Sequence, residues 1–137
     1  MASKRLKAPY FEAYFKADLR GRALPPSFGV VTACNPFGKR STSAVNRRRD
    51  AQLRAELDAM KLKRFRVTGG SKDGSHREPG WGVVTGSREM IRALSALFKQ
   101  DAYFWVRNGR VYLGSSTGGA LKRAASWSSR QANWPRG

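Results

Sequence analysis

A single histidine, His76, stands two positions before Glu78 in the glycine-rich stretch TGGSKDGSHREPGWGVV, residues 68–84. An imidazole beside a carboxylate can move protons near neutral pH, with Glu78 orienting the ring or acting as a second acid or base. Ser75 would be the nucleophile of such a loop. Its adjacency to His76 argues against that role, because a nucleophile and its base normally converge from separate segments. The competing reading is a plain connection between two antiparallel strands, with Gly69, Gly70 and Gly74 supplying unusual backbone angles and Asp73-Gly74 turning the chain. Turn chemistry explains nearly everything in the loop except Glu78-Pro79, a carboxylate amid strong positive charge that could instead bind Arg77 or a helix arginine. If the chain is an enzyme, His76 and Glu78 are its candidate catalytic pair, acting on a phosphorylated or nucleic-acid substrate.

A second cluster is Asn35, Asn46 and Arg49. If a strand ends beside the start of the following helix, both amides lie near that helix N-terminus, where backbone N–H groups favour anions, and a phosphate or carboxylate pocket results. Asn35 before a proline is also a common turn-former. No cofactor is expected: neither GxxxxGK[ST] nor GxGxxG after a strand occurs, and GGSKDG is a weak phosphate cradle. No metal site is expected either, since Cys34 and His76 are the chain's only cysteine and histidine and cannot together complete a zinc site.

The basic surface outweighs these local motifs. With 27 Lys+Arg against 9 Asp+Glu, the 137-residue chain carries +18 at pH 7, an excess that repels itself unless a polyanion or acidic partner neutralises it. Lys39, Arg40, Arg47, Arg48, Arg49, Arg54, Lys63, Arg64, Arg66, Lys122 and Arg123 are the candidate nucleic-acid contacts. Such contacts act through counterion release. Aromatic residues interleave with them, notably Tyr103, Trp105, Tyr112 and Trp127, and could stack on unpaired bases if they face solvent, core packing being the alternative. No helix-turn-helix, zinc-finger or zipper pattern supports major-groove reading, and RVTGGSK does not match the RNP1 pattern.

These residues must be held by one domain of common size, since a 40% hydrophobic fraction with 11% aromatic supports a real core. Basic N-terminal residues lead into Tyr10, Phe11, Tyr14 and Phe15, whose spacing predicts a short helix from about Pro9 to Leu19. SFGVVTACNP, residues 27–36, reads as a buried strand ended by Asn35-Pro36. Ser43 to Met60 reads as a helix with Val45, Leu53, Leu57 and Met60 on one stripe and N-caps among Ser41 to Ser43. KLKRFRVTGG and GWGVVTG read as an antiparallel strand pair, the first with a possible bulge between Leu62 and Phe65. Ser87 caps a second helix, and Asn108-Gly109 divides the clearest hairpin. The order strand, helix, strand, strand, helix, strand, strand predicts an α+β, ferredoxin-like (split βαβ) antiparallel sheet with two helices on one face and an extra hairpin strand. The other face is free to bind, or is covered by the terminal segments. Residues 1–26 are then a basic, aromatic extension, 27–116 the domain, and 117–137 a basic tail with Trp127 and Trp134, either docked or a nucleic-acid arm.

VTACNPFGKRSTSAVNRRRDAQLRAEL resembles a bacterial domain-of-unknown-function family, number 3293. Its features fall on Thr32, Ala33, Asn35 and Pro36, on Asn46 with Leu53, on Glu78 with Pro79, and on Gln100 with Ala102, within residues 28–115. Cys34 stands where the family's pattern leads one to expect an aromatic. The resemblance implies one compact α+β domain and supplies no mechanism.

The leading expectation is a small, non-enzymatic bacterial or phage-type protein that binds RNA or single-stranded nucleic acid through its phosphates. A module for an acidic protein partner is the first alternative, and an enzyme using His76 and Glu78, with Asn35 and Asn46 around the same pocket, is the second. No segment has 18 consecutive apolar residues or a signal-peptide core, so a cytoplasmic protein without a membrane span is expected.

Overall fold

The computed structural model describes residues 6–135. Strands and helices run β1 (Tyr14–Asp18), β2 (Ser27–Thr32), α1 (Ser43–Ala59), β3 (Arg64–Gly70), β4 (Arg77–Val84), α2 (Arg88–Leu97), β5 (Ala102–Arg107), β6 (Arg110–Ser115) and β7 (Lys122–Ser126), with 3-10 turns at Ala8–Glu12, Pro36–Gly38 and Ser128–Arg130. The strands form one seven-stranded antiparallel sheet in the order β1-β3-β4-β2-β5-β6-β7, curled into a half-barrel. Among the described residues no helix is long and apolar enough to cross a membrane.

The ferredoxin-like expectation is therefore corrected. Its sequence of elements from β2 to β5 is present, but the sheet does not stop at four strands, nor at the five that one extra hairpin strand makes. β1 adds to the edge of β3, β7 adds to β6, and the sheet curls instead of presenting an open face. The helix expected over Pro9 to Leu19 is the Ala8–Glu12 turn followed by β1. Phe15 and Ala17 point inward there while Lys16 and Asp18 are exposed, a period-two pattern masked by the paired aromatics. KRAAS, at β7, has no apolar alternation and becomes a strand only by pairing with β6.

The strands' alternation divides the core in two. On the convex face, Leu53 and Leu57 of α1 and Ile91 and Leu94 of α2 pack over Val31, Val83, Tyr103 and Trp105. Gly29 lies under α2, where an added Cβ would meet Ile91 at 2.4 Å. On the inner face Phe15, Phe28, Val30, Val67, Val106, Val111 and Trp127 form a second cluster. Phe15 stacks on Trp127 at 5.2 Å, and Trp127 meets Phe28 edge-on at 5.3 Å. Burial of this kind, roughly 2 kcal/mol per large side chain, ties the flanking segments around Phe15 and Trp127 to the sheet. The half-barrel is closed at its seam by a single bridge between Phe15 and Gln131 and by the Ala132 N–H donating to the Phe15 carbonyl at 2.8 Å.

The local signals of the middle segment hold where the backbone chemistry is explicit. Thr42 caps α1 by accepting from the Val45 N–H, Ser87 caps α2 through the Met90 N–H, and Asn108 and Gly109 take φ of 49° and 74°, as a type I′ turn requires. β3 starts at Arg64, so Leu62 lies outside the strand and the alternation needs no bulge between Leu62 and Phe65.

Candidate functional site

The inner face is apolar along most of its length and turns polar at one end, where Thr32 of β2 and Glu78 of β4 succeed Val30 and Gly80. An open cavity of about 710 Å³ lies here. Phe15, Val30 and Phe104 line its apolar side, and Tyr10 and Tyr14, brought over by the N-terminal turn and β1, line another. Gly69, paired with Glu78 across β3 and β4, puts no side chain into this space.

Asn35 organises the polar end. Past β2 the chain enters a left-handed conformation at Asn35 (φ 50°), a geometry asparagine tolerates. Its Oδ1 accepts from the Ser41 N–H and from Asn46 Nδ2, both at 3.0 Å, while its own N–H donates to Asn46 Oδ1 at 3.0 Å. Asn35 Nδ2 then donates to Glu78 Oε1 at 2.8 Å, leaving Glu78 Oε2 facing His76 Nε2 at 3.6 Å. The side chains of Glu78 and His76 are 26% and 64% exposed, so the pair is open to a ligand from the His76 side. Asn46, Asn35, Glu78 and His76 thus form one chain of contacts. Beside it Thr32 Oγ1 donates to Gln100 Oε1 at 3.1 Å, and Gln100 Nε2 bonds the Cys34 and Phe98 carbonyls at 3.0 and 3.2 Å.

Several other groups take their properties from this arrangement. Burial, and then the charges of Asp101 and Glu78, raise the Tyr10 phenol above its ordinary range. The Cys34 thiol is pushed up to about 11, chiefly by burial and then by Glu78 and Asp50. Ser75 Oγ bonds Asp73 at 2.8 Å, and this is turn chemistry. With the Ser75 N–H and the Ser71 hydroxyl also donating to it, the Asp73 carboxyl falls to about 2. Trp134 Nε1 donates to the Ser71 carbonyl at 2.9 Å and clamps the same loop from outside. An added Cβ at Gly70 would come within 2.1 Å of the His76 carbonyl, so this glycine lets the loop fold back far enough to bring His76 to Glu78. Among the described residues no group of three or more His, Cys, Asp and Glu is placed to hold a metal ion.

A family model described as a protein of unknown function (DUF3293) matches residues 31–103, more than half of the chain. The chain belongs to this family. No curated protein and no solved structure matches it. The part of the cavity built from Thr32, Asn35, Glu78 and Gln100 comes from the DUF3293 region; Tyr10, Tyr14 and the cations Lys7 and Arg130 come from the flanks on either side of it. Arg130 is fixed by donating to the Phe11 and Ala13 carbonyls at 2.9 and 3.2 Å, with its guanidinium 5.5 Å from the Tyr14 ring centre.

The candidate contact residues of this DUF3293 protein sort into three groups. Lys39, Arg40, Arg47, Arg48, Arg54 and Lys63 are exposed along the approach to α1, on α1 and after it. Lys122 and Arg123 are exposed on β7, three strands along the sheet from β2. Arg49, Arg64 and Arg66 are engaged internally. Arg49 donates through Nε to the Ala33 carbonyl at 2.7 Å and through an Nη to the Phe98 carbonyl at 2.5 Å. Arg64 pairs with Asp58. Arg66 forks onto both oxygens of Asp50 at 2.8 and 2.6 Å and lies 3.9 Å from the Trp81 ring centre. Tyr103 and Trp105 are buried under the helices and Trp127 in the inner core, which removes them as stacking surfaces. Sequence reasoning missed Tyr10, Tyr14 and Arg130 as cavity residues, since only the curling of the sheet brings both flanks to one end.

Proposed function

We propose that the protein binds single-stranded nucleic acid, RNA foremost, with one nucleotide entering the inner-face cavity and neighbouring phosphates held by exposed cations. One observation carries this reading: the cavity combines a fixed carboxylate, aromatic walls and a cationic rim of Lys7, Lys72 and Arg130, on a chain of net charge +18. A base edge offers N–H donors to Glu78 Oε2 and a π-face to Tyr10 or Tyr14, while the phosphate meets the rim. Lys39, Arg40, Arg47 and Arg48 extend the positive surface from the mouth onto α1.

Titration of the purified protein against single-stranded RNA, single-stranded DNA and duplex over a range of salt tests it. Log affinity should fall linearly with log salt, by about 0.7 per phosphate contacted on a single strand. Glu78→Gln should weaken single-strand binding about tenfold without altering that slope, because a carboxylate-to-base contact is worth roughly 1–3 kcal/mol. No binding to any polymer at low salt, with an acidic protein retained after complete nuclease digestion, would instead place the charge against a protein partner.

A second reading is supported by the continuous chain Asn46–Asn35–Glu78–His76. It would let Glu78 orient His76 as a general base toward a phosphorylated or nucleic-acid substrate in the same cavity. Cleavage of RNA that vanishes in His76→Ala while binding persists is its signature.

A further inference from the structure

Phe37 is a large aromatic side chain that the fold does not use. It is 55% exposed and joins neither core cluster. Its backbone is also held at φ 53°, between Asn35 at φ 50° and Gly38 at φ 74°. Asparagine and glycine occupy the left-handed region readily, whereas a bulky side chain there is a genuine outlier that persists only when its surroundings impose it. The surroundings do so. The Phe37 N–H donates to the Lys99 carbonyl at 2.7 Å, Gly38 N–H to the Asn35 carbonyl at 2.9 Å, and Lys39 N–H to the Pro36 carbonyl at 3.1 Å. Asn35, the pivot of the cavity's polar end, is bonded in turn to the Ser41 N–H. The loop is therefore bolted to the residues after α2 and to the start of α1 while its ring is presented to solvent.

Its position gives the ring a use. Asn35 and Gly38, on either side of Pro36 and Phe37, both line the cavity, and Lys39 and Arg40 follow at once, both exposed. An exposed ring at the mouth of a nucleotide-sized cavity, immediately followed by two cations, matches the aromatic-plus-cation arrangement that grips unpaired bases.

We infer that Phe37 is a stacking platform for an unpaired base adjoining the nucleotide in the cavity, with Lys39 and Arg40 on the intervening phosphates. This rests on the single-strand reading above and adds a specific residue and a second base position to it. A folding role for the side chain is disfavoured by its exposure, and at this φ a glycine would suit the backbone better.

The test compares wild type with Phe37→Ala, Phe37→Gly and Phe37→Trp by fluorescence-anisotropy titration against single-stranded RNA at several salt concentrations, together with thermal melts without RNA. Phe37→Ala should bind on the order of tenfold more weakly at an unchanged salt slope. Phe37→Trp should retain affinity and its added indole emission should be quenched by RNA. Phe37→Gly should melt no lower than wild type while binding as weakly as the alanine variant. Wild-type affinity in Phe37→Ala overturns the platform and leaves the single-strand reading standing; absence of wild-type binding overturns both. A melting temperature lowered by more than about 5 °C in both the alanine and glycine variants, roughly 1–2 kcal/mol for a chain of this size, would show the ring to be structural and also overturn the platform.

Discussion

Arg49 separates a brace from a ligand contact. Sequence spacing offers it both as a nucleic-acid contact and as part of an anion pocket, yet its guanidinium bridges two main-chain carbonyls, Ala33 beyond β2 and Phe98 at the end of α2. Arg49→Ala removes both bonds, strands the part-buried Ala33 carbonyl and leaves the Phe98 carbonyl with only the Gln100 Nε2 donor at 3.2 Å. A hydrogen bond from a charged donor is worth roughly 1.5–3 kcal/mol. Partial exposure discounts the pair to about 3 kcal/mol in total. With an unfolding entropy near 2 cal/mol/K per residue, a 137-residue chain loses about 3–4 °C per kcal/mol, so Arg49→Ala should melt about 10 °C below wild type. Arg49→Lys, whose ammonium cannot fork to both carbonyls, should recover less than half of that. The assay is thermal unfolding followed by circular dichroism without ligand, alongside the salt titration. Arg47→Ala is the counterpart: its side chain is exposed, so the melt should move by less than about 2 °C while the salt slope falls by about 0.7. If Arg49→Ala melts within about 3 °C of wild type and lowers the salt slope instead, the brace reasoning is refuted.

Two further expectations come from the titrating groups. Asp73 has its folded pKa lowered to about 2 from an ordinary 3.8, so its contribution to the 71–76 loop is present above pH 4 and is lost as pH falls through 2. The Ser75 amide resonance should titrate with a midpoint near 2, and a midpoint near 4 would contradict the bonded turn. Cys34 shifts the other way: with its folded pKa at about 11 and its ordinary value at 9, its contribution is complete below pH 9 and is lost as pH rises through 11. Its thiol should react with a disulfide reagent far more slowly in the native protein at pH 8 than in urea, and equal rates would show that the residue is not buried.

Legibility in the sequence followed the range of the interaction. α1, α2 and the β5–β6 hairpin were readable because a cap hydroxyl, an apolar stripe and Asn-Gly act over a few residues. Asn35, Asn46, Glu78 and Gln100 were legible as a motif, but their convergence depends on β2 and β4 pairing side by side, which no local pattern encodes. β1 mimics a helix in the sequence because Tyr10, Phe11, Tyr14 and Phe15 fit an i, i+4 spacing as well as they fit a turn followed by a strand. β7 left no apolar trace at all, and without those two strands the curl of the sheet, and hence the cavity, had no sequence signature. Sequence alone makes Arg49 and Arg66 free charge; only the tertiary positions of the Ala33 carbonyl and Asp50 show them engaged.

The seam between Phe15 and Gln131 also orders events in time. Its partners are separated by nearly the whole chain, so closing it costs more loop entropy than any other strand contact in the sheet. Arg130 lines the cavity beside Lys7 and Lys72, and Trp134 clamps the loop bearing His76. During synthesis the central strands can pair and collect their helices while the cavity still lacks a wall. The cavity is thus the last part of the fold to be completed, when the flank after β7 swings back onto β1.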